Sequence, residues 1–334
     1  RPDATLTILL AEIIAMSHDM YALLEPITSD KNYLSSIEER VKDYARKALS
    51  DNTWRSYEHD LAHFMAWGGS VPCFPDVVAA YIAEHAGELS VSTLTRRLAA
   101  INKAHEMKNA MSPTKDHKVR LVMRGIRREH TTQKRQAAPL LRDDLISICS
   151  HIPDDNKGKR DKALLLIGFA SAMRRSELTA LSIDDVEFVP EGVIINVRKS
   201  KTDQEAFGHK IAIPKAKSQG RVCPVQALRG WLDCITSSNG AVYRSVRKGN
   251  YVQDTRLSDG AVSVVIKEYV EKIGLEPEKY SAHSLRAGFI TTCAQMGIPE
   301  HRIMRQSRHK SYQVMMTYIR DARIFDNHPL DTVF

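Results

Sequence analysis

Apolar residues in the first third of the chain recur every three or four positions, the spacing of one face of an α-helix. Polar N-cap types at Ser50–Thr53 and the pair Gly68-Gly69 divide this pattern into segments. The predicted helices are two between Ile37 and Gly68 that meet near residue 51, then Pro75 to His85, Ser90 or Ser92 to Met107, and Lys118 to Glu129. We therefore expect a helical domain over residues 36–130.

The pattern changes after residues 131–139, a polar and basic stretch that ends in proline and has the composition of an interdomain linker. Beyond it, Val193–Val197 is β-branched enough to be a strand, and Lys210–Pro214 is its natural hairpin partner. Helical spacing is found at Asp143–Cys149, Arg160–Met173, Ser263–Lys272, Ser284–Met296, Glu300–Gln306 and Ser311–Tyr318. The predicted fold class is mainly α with a small β-sheet, with a mixed α/β domain over residues 140–322.

Length and composition are those of an ordinary globular protein of about two domains. The 334 residues are 43% hydrophobic and 26% charged, and no apolar run reaches the roughly 18 residues of a membrane helix. The five cysteines are scattered without a C-x-x-C pair, so the sequence suggests neither a disulfide framework nor a zinc cluster. These features predict a protein of a reducing, cytoplasmic compartment.

Charge is distributed unevenly along the chain. The formal net charge of +8 combines an acidic segment 1–90, with 7 Lys/Arg against 14 Asp/Glu, and a basic segment 91–130, with 10 against 3. A concentrated basic segment is typical of a surface that faces a polyanion such as nucleic acid. A solvated basic face is the alternative, since runs of charge are usually of that kind.

Three short motifs in the second half carry residues suited to chemistry. Arg174 and Glu177 follow the end of an apolar helix, His283 and Arg286 lie three residues apart at a helix start, and Tyr318 comes nine residues after His309. Each motif alone has an ordinary explanation: an arginine at a helix end as a salt-bridge partner, a chance His-x-x-Arg, a tyrosine in packing. Together they supply what phosphodiester cleavage without a metal requires.

The chemistry explains the residue types. Guanidinium groups bind nonbridging phosphate oxygens with two hydrogen bonds and stay charged, and imidazoles donate hydrogen bonds or move protons. A tyrosine that attacks phosphorus forms a covalent phosphotyrosine, which conserves the bond energy, so strand exchange needs no nucleotide cofactor. Because the ordinary phenol pKa is about 10, neighbouring positive charge and a base must activate it.

On these residues the sequence resembles the tyrosine recombinases of the lambda-integrase family, and within them the Cre-type recombinases of phages and plasmids. The resemblance covers roughly residues 36–325. It assigns catalytic roles to Arg174, Glu177, Lys201, His283, Arg286, His309 and Tyr318. Lys199 is the alternative to Lys201 as the acid that protonates the leaving 5′ oxygen. The sequence departs from the family pattern where Ala172 and Arg308 replace glycines and Arg175 replaces an apolar residue.

The resemblance implies a C-shaped clamp of two domains around duplex DNA that carries paired inverted recognition elements. It implies strand cleavage and rejoining through a 3′-phosphotyrosine and a Holliday junction, without metal or ATP, and an origin on a phage, plasmid or transposon. Candidate DNA-binding residues are Thr95, Arg96, Arg97, Lys103, Arg120, Arg124, Arg127, Arg128, Arg244, Arg247 and Lys248.

The resemblance also bears on assembly, and two other functions are compatible with the same residues. The apolar tail 323–334 is expected to dock into a neighbouring protomer of a homotetramer, with packing on its own domain as the alternative, and the role of residues 1–35 is unknown. A type IB topoisomerase would share the chemistry but would relax DNA without strand exchange. A noncatalytic architectural DNA-binding protein would bind DNA tightly without forming a covalent product.

Overall fold

A computed structural model of the chain describes residues 39–40, 43–44, 47–131, 136–198, 208–216, 222–309 and 311–322. The chain divides into two compact units, residues 1–134 and 135–334. Of the helices described, none has the length and apolar character needed to span a bilayer.

The described part of the first unit is helical. Its four longer helices are α1 (Asp51–Ala66), α2 (Pro75–Glu84), α3 (Val91–Met107) and α4 (His117–His130). The Ser50, Ser90 and Asp116 side chains accept hydrogen bonds from backbone N–H groups in the first turns of α1, α3 and α4, which fixes where those helices begin. The apolar faces bury a common core that includes Phe64, Tyr81, Leu94, Ile101 and Met123.

The second unit combines helices with two small antiparallel sheets. Its helices are α5 (Arg142–His151), α6 (Asn156–Ser171), α7 (Arg175–Ala180), α8 (Pro224–Leu232), α9 (Asp259–Lys272), α10 (His283–Gln295), α11 (Glu300–Ser307) and α12 (Tyr312–Ala322). Its strands are β1 (Val186–Val189), β2 (Gly192–Val197), β3 (His209–Pro214), β4 (Arg244–Arg247) and β5 (Tyr251–Arg256).

The central sheet has the order β1-β2-β3, and β4 pairs with β5 in a separate two-stranded sheet. Ile195 of β2 faces Ile211 of β3 across the hairpin, and both side chains are buried in the larger core of this unit. Helix α6 contributes Leu164 and Leu165 to the same core, which explains the apolar run in the second half of its sequence.

Helix α10 is the element that organises the site. It packs against α6 on one side and α12 on another, and the Leu140 N–H donates a hydrogen bond to the Ser284 carbonyl at its first turn. Its far end joins α11 and α12 in a small apolar cluster that includes Ile290, Ile303 and Met315. These contacts hold α10, α11 and α12 together, and so bring their polar residues to one place.

The predicted fold class is confirmed: the described chain is mostly helical with small sheets. The predicted β2-β3 hairpin is confirmed with its partners in register. Strand β1 and the β4-β5 hairpin were not predicted. For the hairpin the reason lies in β5: Tyr251–Arg256 is mostly exposed and polar and lacks the alternation that indicates a strand.

Candidate active site

The first arginine of the site lies at a helix start. Arg174 is the N-cap of α7, and its backbone N–H donates a hydrogen bond to Oε2 of Glu177 over 2.9 Å. Its side-chain Nη1 donates to Oε1 of the same carboxylate, also over 2.9 Å. The buried Glu177 thus fixes both the backbone and the guanidinium of Arg174, whose side chain stays 25% exposed.

The second arginine, Arg286, extends from the first turn of α10 and is only 2% exposed. Its Nη1 donates a 2.6 Å hydrogen bond to the carbonyl of Ala172, the residue that ends α6 in the left-handed conformation (φ 49°). Burial, together with the charges of Arg174 and Arg308, lowers the pKa of Arg286 to about 10. No described carboxylate forms an ion pair with the Arg286 guanidinium, which leaves its charge free to interact with a bound anion.

His309 lies beside Arg286 in the segment between α11 and α12. The Arg286 Nη2 is 3.1 Å from Nε2 of His309, and the Ser307 hydroxyl is 2.8 Å from its Nδ1. Burial and the nearby charges, Arg286 first among them, lower the pKa of His309 to about 4. The imidazole is therefore neutral at pH 7 in the DNA-free protein.

Tyr318 projects from α12 toward the start of α10. Its hydroxyl is 2.6 Å from Nε2 of His283, and its ring centroid is 6.1 Å from that of His309. Burial raises the pKa of Tyr318 while the charge of Arg286 lowers it, with a net increase. Desolvation and the charges of Arg286 and Arg174 lower the pKa of His283. A neutral phenol thus faces a neutral imidazole that can accept its proton.

Positive charge is in excess at this site. Arg174, Arg286 and Arg308 are close enough to shift neighbouring pKa values, and Glu177 is the carboxylate paired with two of them. A phosphodiester would supply the missing negative charge. Among the described residues, no three His, Cys, Asp or Glu side chains are grouped so as to hold a metal ion.

Known proteins are similar to this chain over most of its length. Residues 139–323 match the phage integrase family. An integrase/recombinase XerD homolog of Selenomonas ruminantium is 35% identical, over 95% of this chain and 94% of its own length. The chain belongs to this family of tyrosine recombinases. The Cre recombinase of Escherichia phage P1 is 23% identical over 93% of this chain and 95% of its own. The resemblance found in the sequence is thereby confirmed.

A crystal structure of a lambda integrase (residues 75–356) dimer bound to a COC′ core site has the same fold. It superimposes with a TM-score of 0.60 and 17% identity, covering 88% of this chain and 96% of that chain. This likeness concerns the fold; the family match and the 35% identical XerD homolog identify the protein as a site-specific tyrosine recombinase.

The structure brings five of the residues assigned by resemblance into one site, namely Arg174, His283, Arg286, His309 and Tyr318, and Glu177 is bonded to the first of them. Lys201 and its competitor Lys199 lie outside the described residues, as do the tail 323–334 and residues 1–35.

Two of the predicted DNA-binding residues are buried in the recombinase. Arg97 is 4% exposed and donates to the Tyr81 hydroxyl over 2.7 Å, so its guanidinium belongs to the core of the first unit. Arg244 is 3% exposed and is bonded to Asp254 and to the carbonyls of Asn239 and Ala241. Neither guanidinium reaches the surface of its unit, so this structure gives no support to base contacts by Arg97 or Arg244, and their role in DNA binding stays a prediction.

The other predicted DNA-binding residues are accessible. Arg96 is exposed although its guanidinium forms a two-pronged ion pair with Asp60, and Lys103 is partly exposed. The remaining residues of the set are exposed: Thr95, Arg120, Arg124, Arg127, Arg128, Arg247 and Lys248. Their role in DNA binding stays a prediction.

Two site residues had no assigned role in the sequence. Arg308 pairs with Glu177 over 2.6 Å, and Ser307 holds the imidazole of His309. The replacement of a family glycine by Arg308 is the signal that could have indicated the first; a serine two residues before a histidine carries no comparable signal.

Proposed function

We propose that this recombinase cleaves and rejoins DNA at specific sites with Tyr318 as the nucleophile, through a 3′-phosphotyrosine and a Holliday junction. The observation that carries the proposal is the 2.6 Å contact between the Tyr318 hydroxyl and Nε2 of His283, beside the buried guanidinium of Arg286. A binding protein has no need of a phenol held against a base in a site rich in positive charge.

The proposed cleavage step forms one bond to phosphorus, breaks another and moves two protons. The Tyr318 oxygen forms a bond to phosphorus, and His283 accepts the phenolic proton, since its lowered pKa leaves it neutral. The bond from phosphorus to the 5′ oxygen breaks, and that oxygen takes a proton from a general acid, for which Lys201 is proposed and Lys199 is the alternative. Rejoining is the reverse reaction, so no nucleotide is consumed.

The two arginines and His309 are proposed to stabilise the pentavalent transition state. Arg174 and Arg286 present guanidinium N–H groups to the nonbridging oxygens. When the phosphate replaces Nε2 of His309 as the acceptor for Arg286, this nitrogen is free to carry the ring proton and to donate one hydrogen bond to the phosphate, while Nδ1 accepts from the Ser307 hydroxyl. Each of these groups is fixed by a partner, namely Glu177, the Ala172 carbonyl and the Ser307 hydroxyl. A preorganised site of this kind avoids reorganisation during the reaction.

The nucleophile is tested with a nicked suicide duplex, which traps the covalent protein–DNA adduct. Wild-type protein should form an adduct that survives denaturing gels, and Tyr318→Phe should form none because it lacks the attacking oxygen. Tyr312→Phe, on the exposed side of the same helix, is the matched control and should retain the adduct. An adduct of normal yield in Tyr318→Phe would contradict the proposal.

Duplex DNA with paired inverted elements is the proposed substrate. The relative of known structure cited above is bound to a core site, which supports DNA as the partner. Inverted repeats of roughly 10 to 13 base pairs around a short spacer would reflect two protomers on one duplex face. Recombinant product from such DNA, with a chelator present, is the expected result; relaxation without recombinants would favour topoisomerase activity instead.

We further propose that the recombinase acts as a homotetramer whose apolar tail, residues 323–334, docks into a neighbouring protomer. A largely apolar cavity of about 590 Å³ in the second unit, lined in part by Leu145, Phe169, Ile213 and Phe289, has the chemistry to accept it. Deleting residues 323–334 should preserve DNA binding and abolish synapsis, measured by native gels of complexes with two duplexes. Intact synapsis after the deletion would contradict this assembly.

A further inference from the structure

Arg308 occupies a position where a glycine is expected from the resemblance. Its backbone ends α11 in the left-handed conformation, with φ 55° and ψ 42°, which a glycine adopts without strain and an arginine does not. The side chain is only 9% exposed and points inward, where Nη2 donates a 2.6 Å hydrogen bond to Oε2 of Glu177.

Glu177 therefore links two guanidiniums. Oε1 accepts from the Arg174 side chain, and Oε2 accepts from both the Arg174 backbone N–H and Arg308. Burial of Glu177 would raise its pKa, but the charge of Arg308 and the hydrogen bonds from both arginines outweigh this and lower it. The carboxylate stays ionised and fixed from two sides.

Arg308 is held in this place at a cost to stability. Its Nε and Nη1 are buried and have no hydrogen-bond partner among the described residues. A buried donor without a partner is unfavourable, and so is an arginine at positive φ. A glycine would avoid both costs. Strained and unsatisfied groups are concentrated at functional sites. The cost of Arg308 therefore indicates a functional role for its contact with Glu177.

We propose that Arg308 is a positioning residue for DNA cleavage, which clamps Glu177 so that this carboxylate presents the Arg174 guanidinium to the scissile phosphate. The inference rests on the proposed function, in which Arg174 binds that phosphate. Arg308 itself does not contact the phosphate in this arrangement, because its side chain is only 9% exposed and its Nη2 is bonded to Glu177.

The test compares single-turnover adduct formation on the suicide duplex by wild type, Arg308→Gly and Arg308→Lys across pH 5 to 9. Arg308→Gly should fold at least as well as wild type, because glycine suits the left-handed backbone. Its cleavage rate should fall about 10- to 100-fold, which is the usual effect of removing a residue that orients a functional side chain. Arg308→Lys, which keeps a charge near Glu177, should recover part of the rate.

A pH profile separates positioning from a purely structural role. Removing Arg308 removes its charge and its hydrogen bond, both of which lower the pKa of Glu177, so this pKa rises relative to wild type and the acid limb of the rate should move toward neutral pH in Arg308→Gly. The double variant Arg308→Gly with Glu177→Gln should be little slower than Glu177→Gln alone, because both changes interrupt the same contacts from Arg308 through Glu177 to Arg174. Asn109→Gly, which relieves another left-handed residue (φ 52°) in the first unit, should leave the rate unchanged.

The outcomes are distinct. A wild-type rate and pH profile in Arg308→Gly, or multiplicative losses in the double variant, would overturn the inference while leaving the proposed function intact. Absence of any adduct from wild-type protein would instead refute the proposed function, and the inference with it.

Discussion

The two histidines of the recombinase site are both neutral in the DNA-free protein. For His309 and His283 the first cause is desolvation, and the charge of Arg286 adds to it. Neutral His283 can accept the proton of Tyr318, with which it shares a 2.6 Å contact. A bound phosphate would add negative charge and raise both pKa values, which in the proposed mechanism makes His283 a stronger base for the Tyr318 proton.

His309 gives a prediction for stability against pH. Its pKa is about 4 in the folded protein and near 6.5 in the unfolded chain, so the unfolded state binds the extra proton first as the pH falls. The contribution of neutral His309 to stability is complete above about pH 6.5 and is lost progressively toward pH 4. His309→Gln should therefore show a smaller fall in urea unfolding midpoint from pH 7 to pH 5 than wild type.

The exposed His117 supplies the control for this measurement, because it is outside any buried cluster of positive charge. His117→Gln should follow the wild-type decrease in midpoint. Equal decreases in wild type and both variants would show that His309 does not contribute to the acid sensitivity.

The site residues that could be predicted from the sequence are those recognised by their residue type and spacing. The motifs named Arg174, His283, Arg286, His309 and Tyr318, and the structure places them together. The inward course of Arg97, Arg244 and Arg308 could not be predicted, because a charged side chain is expected at the surface unless its partner is known. Asp60, which lies 3.7 Å from the Arg97 guanidinium, and Glu177, the partner of Arg308, are far from these arginines in sequence.

At the scale of elements, the position of α10 is set by one close approach. A Cβ on Gly288 would lie 1.8 Å from the carbonyl oxygen of Leu140, so the helix and residue 140 can be this close only with glycine there. The same helix carries His283 and Arg286 in its first turn. Long amphipathic helices like α3 were predictable from periodicity alone, whereas such contacts between elements leave no periodic trace.

Gly288→Ala should therefore damage both stability and chemistry. We expect a loss of about 1 to 3 kcal/mol or more in the free energy of unfolding, as for other overpacked cores. Displacement of His283 and Arg286 by about 1 Å should lower the cleavage rate about 10²-fold. Urea unfolding and single-turnover adduct formation measure the two effects.

Gly230→Ala in α8 is the matched control, because no atom would lie within 4 Å of its new Cβ. It should stabilise the helix by up to about 1 kcal/mol and leave cleavage unchanged. Equal behaviour of the two variants would contradict the role given to Gly288.

For the whole molecule, the uneven charge along the sequence corresponds to an exposed basic face in the structure. The basic segment 91–130 carries 10 Lys/Arg against 3 Asp/Glu, and its last helix, α4, buries Val119, Met123 and Ile126. The opposite side of α4 exposes four arginines: Arg120, Arg124, Arg127 and Arg128. None of the ion pairs found in the described residues involves them, so their charges are available to a polyanion.

Replacing these four arginines by glutamine should weaken DNA binding and reduce its dependence on salt. Each phosphate contact contributes about 0.9 to the slope of log K against log salt, so loss of four contacts would lower the slope by about 3 to 4. Fluorescence anisotropy with a labelled duplex between about 50 and 200 mM KCl measures the slope. Glutamines at Lys159, Lys267, Lys272 and Lys279 remove equal charge from the second unit. Long-range attraction alone would make both sets reduce affinity alike, whereas direct phosphate contact by α4 requires that its set alone change the slope.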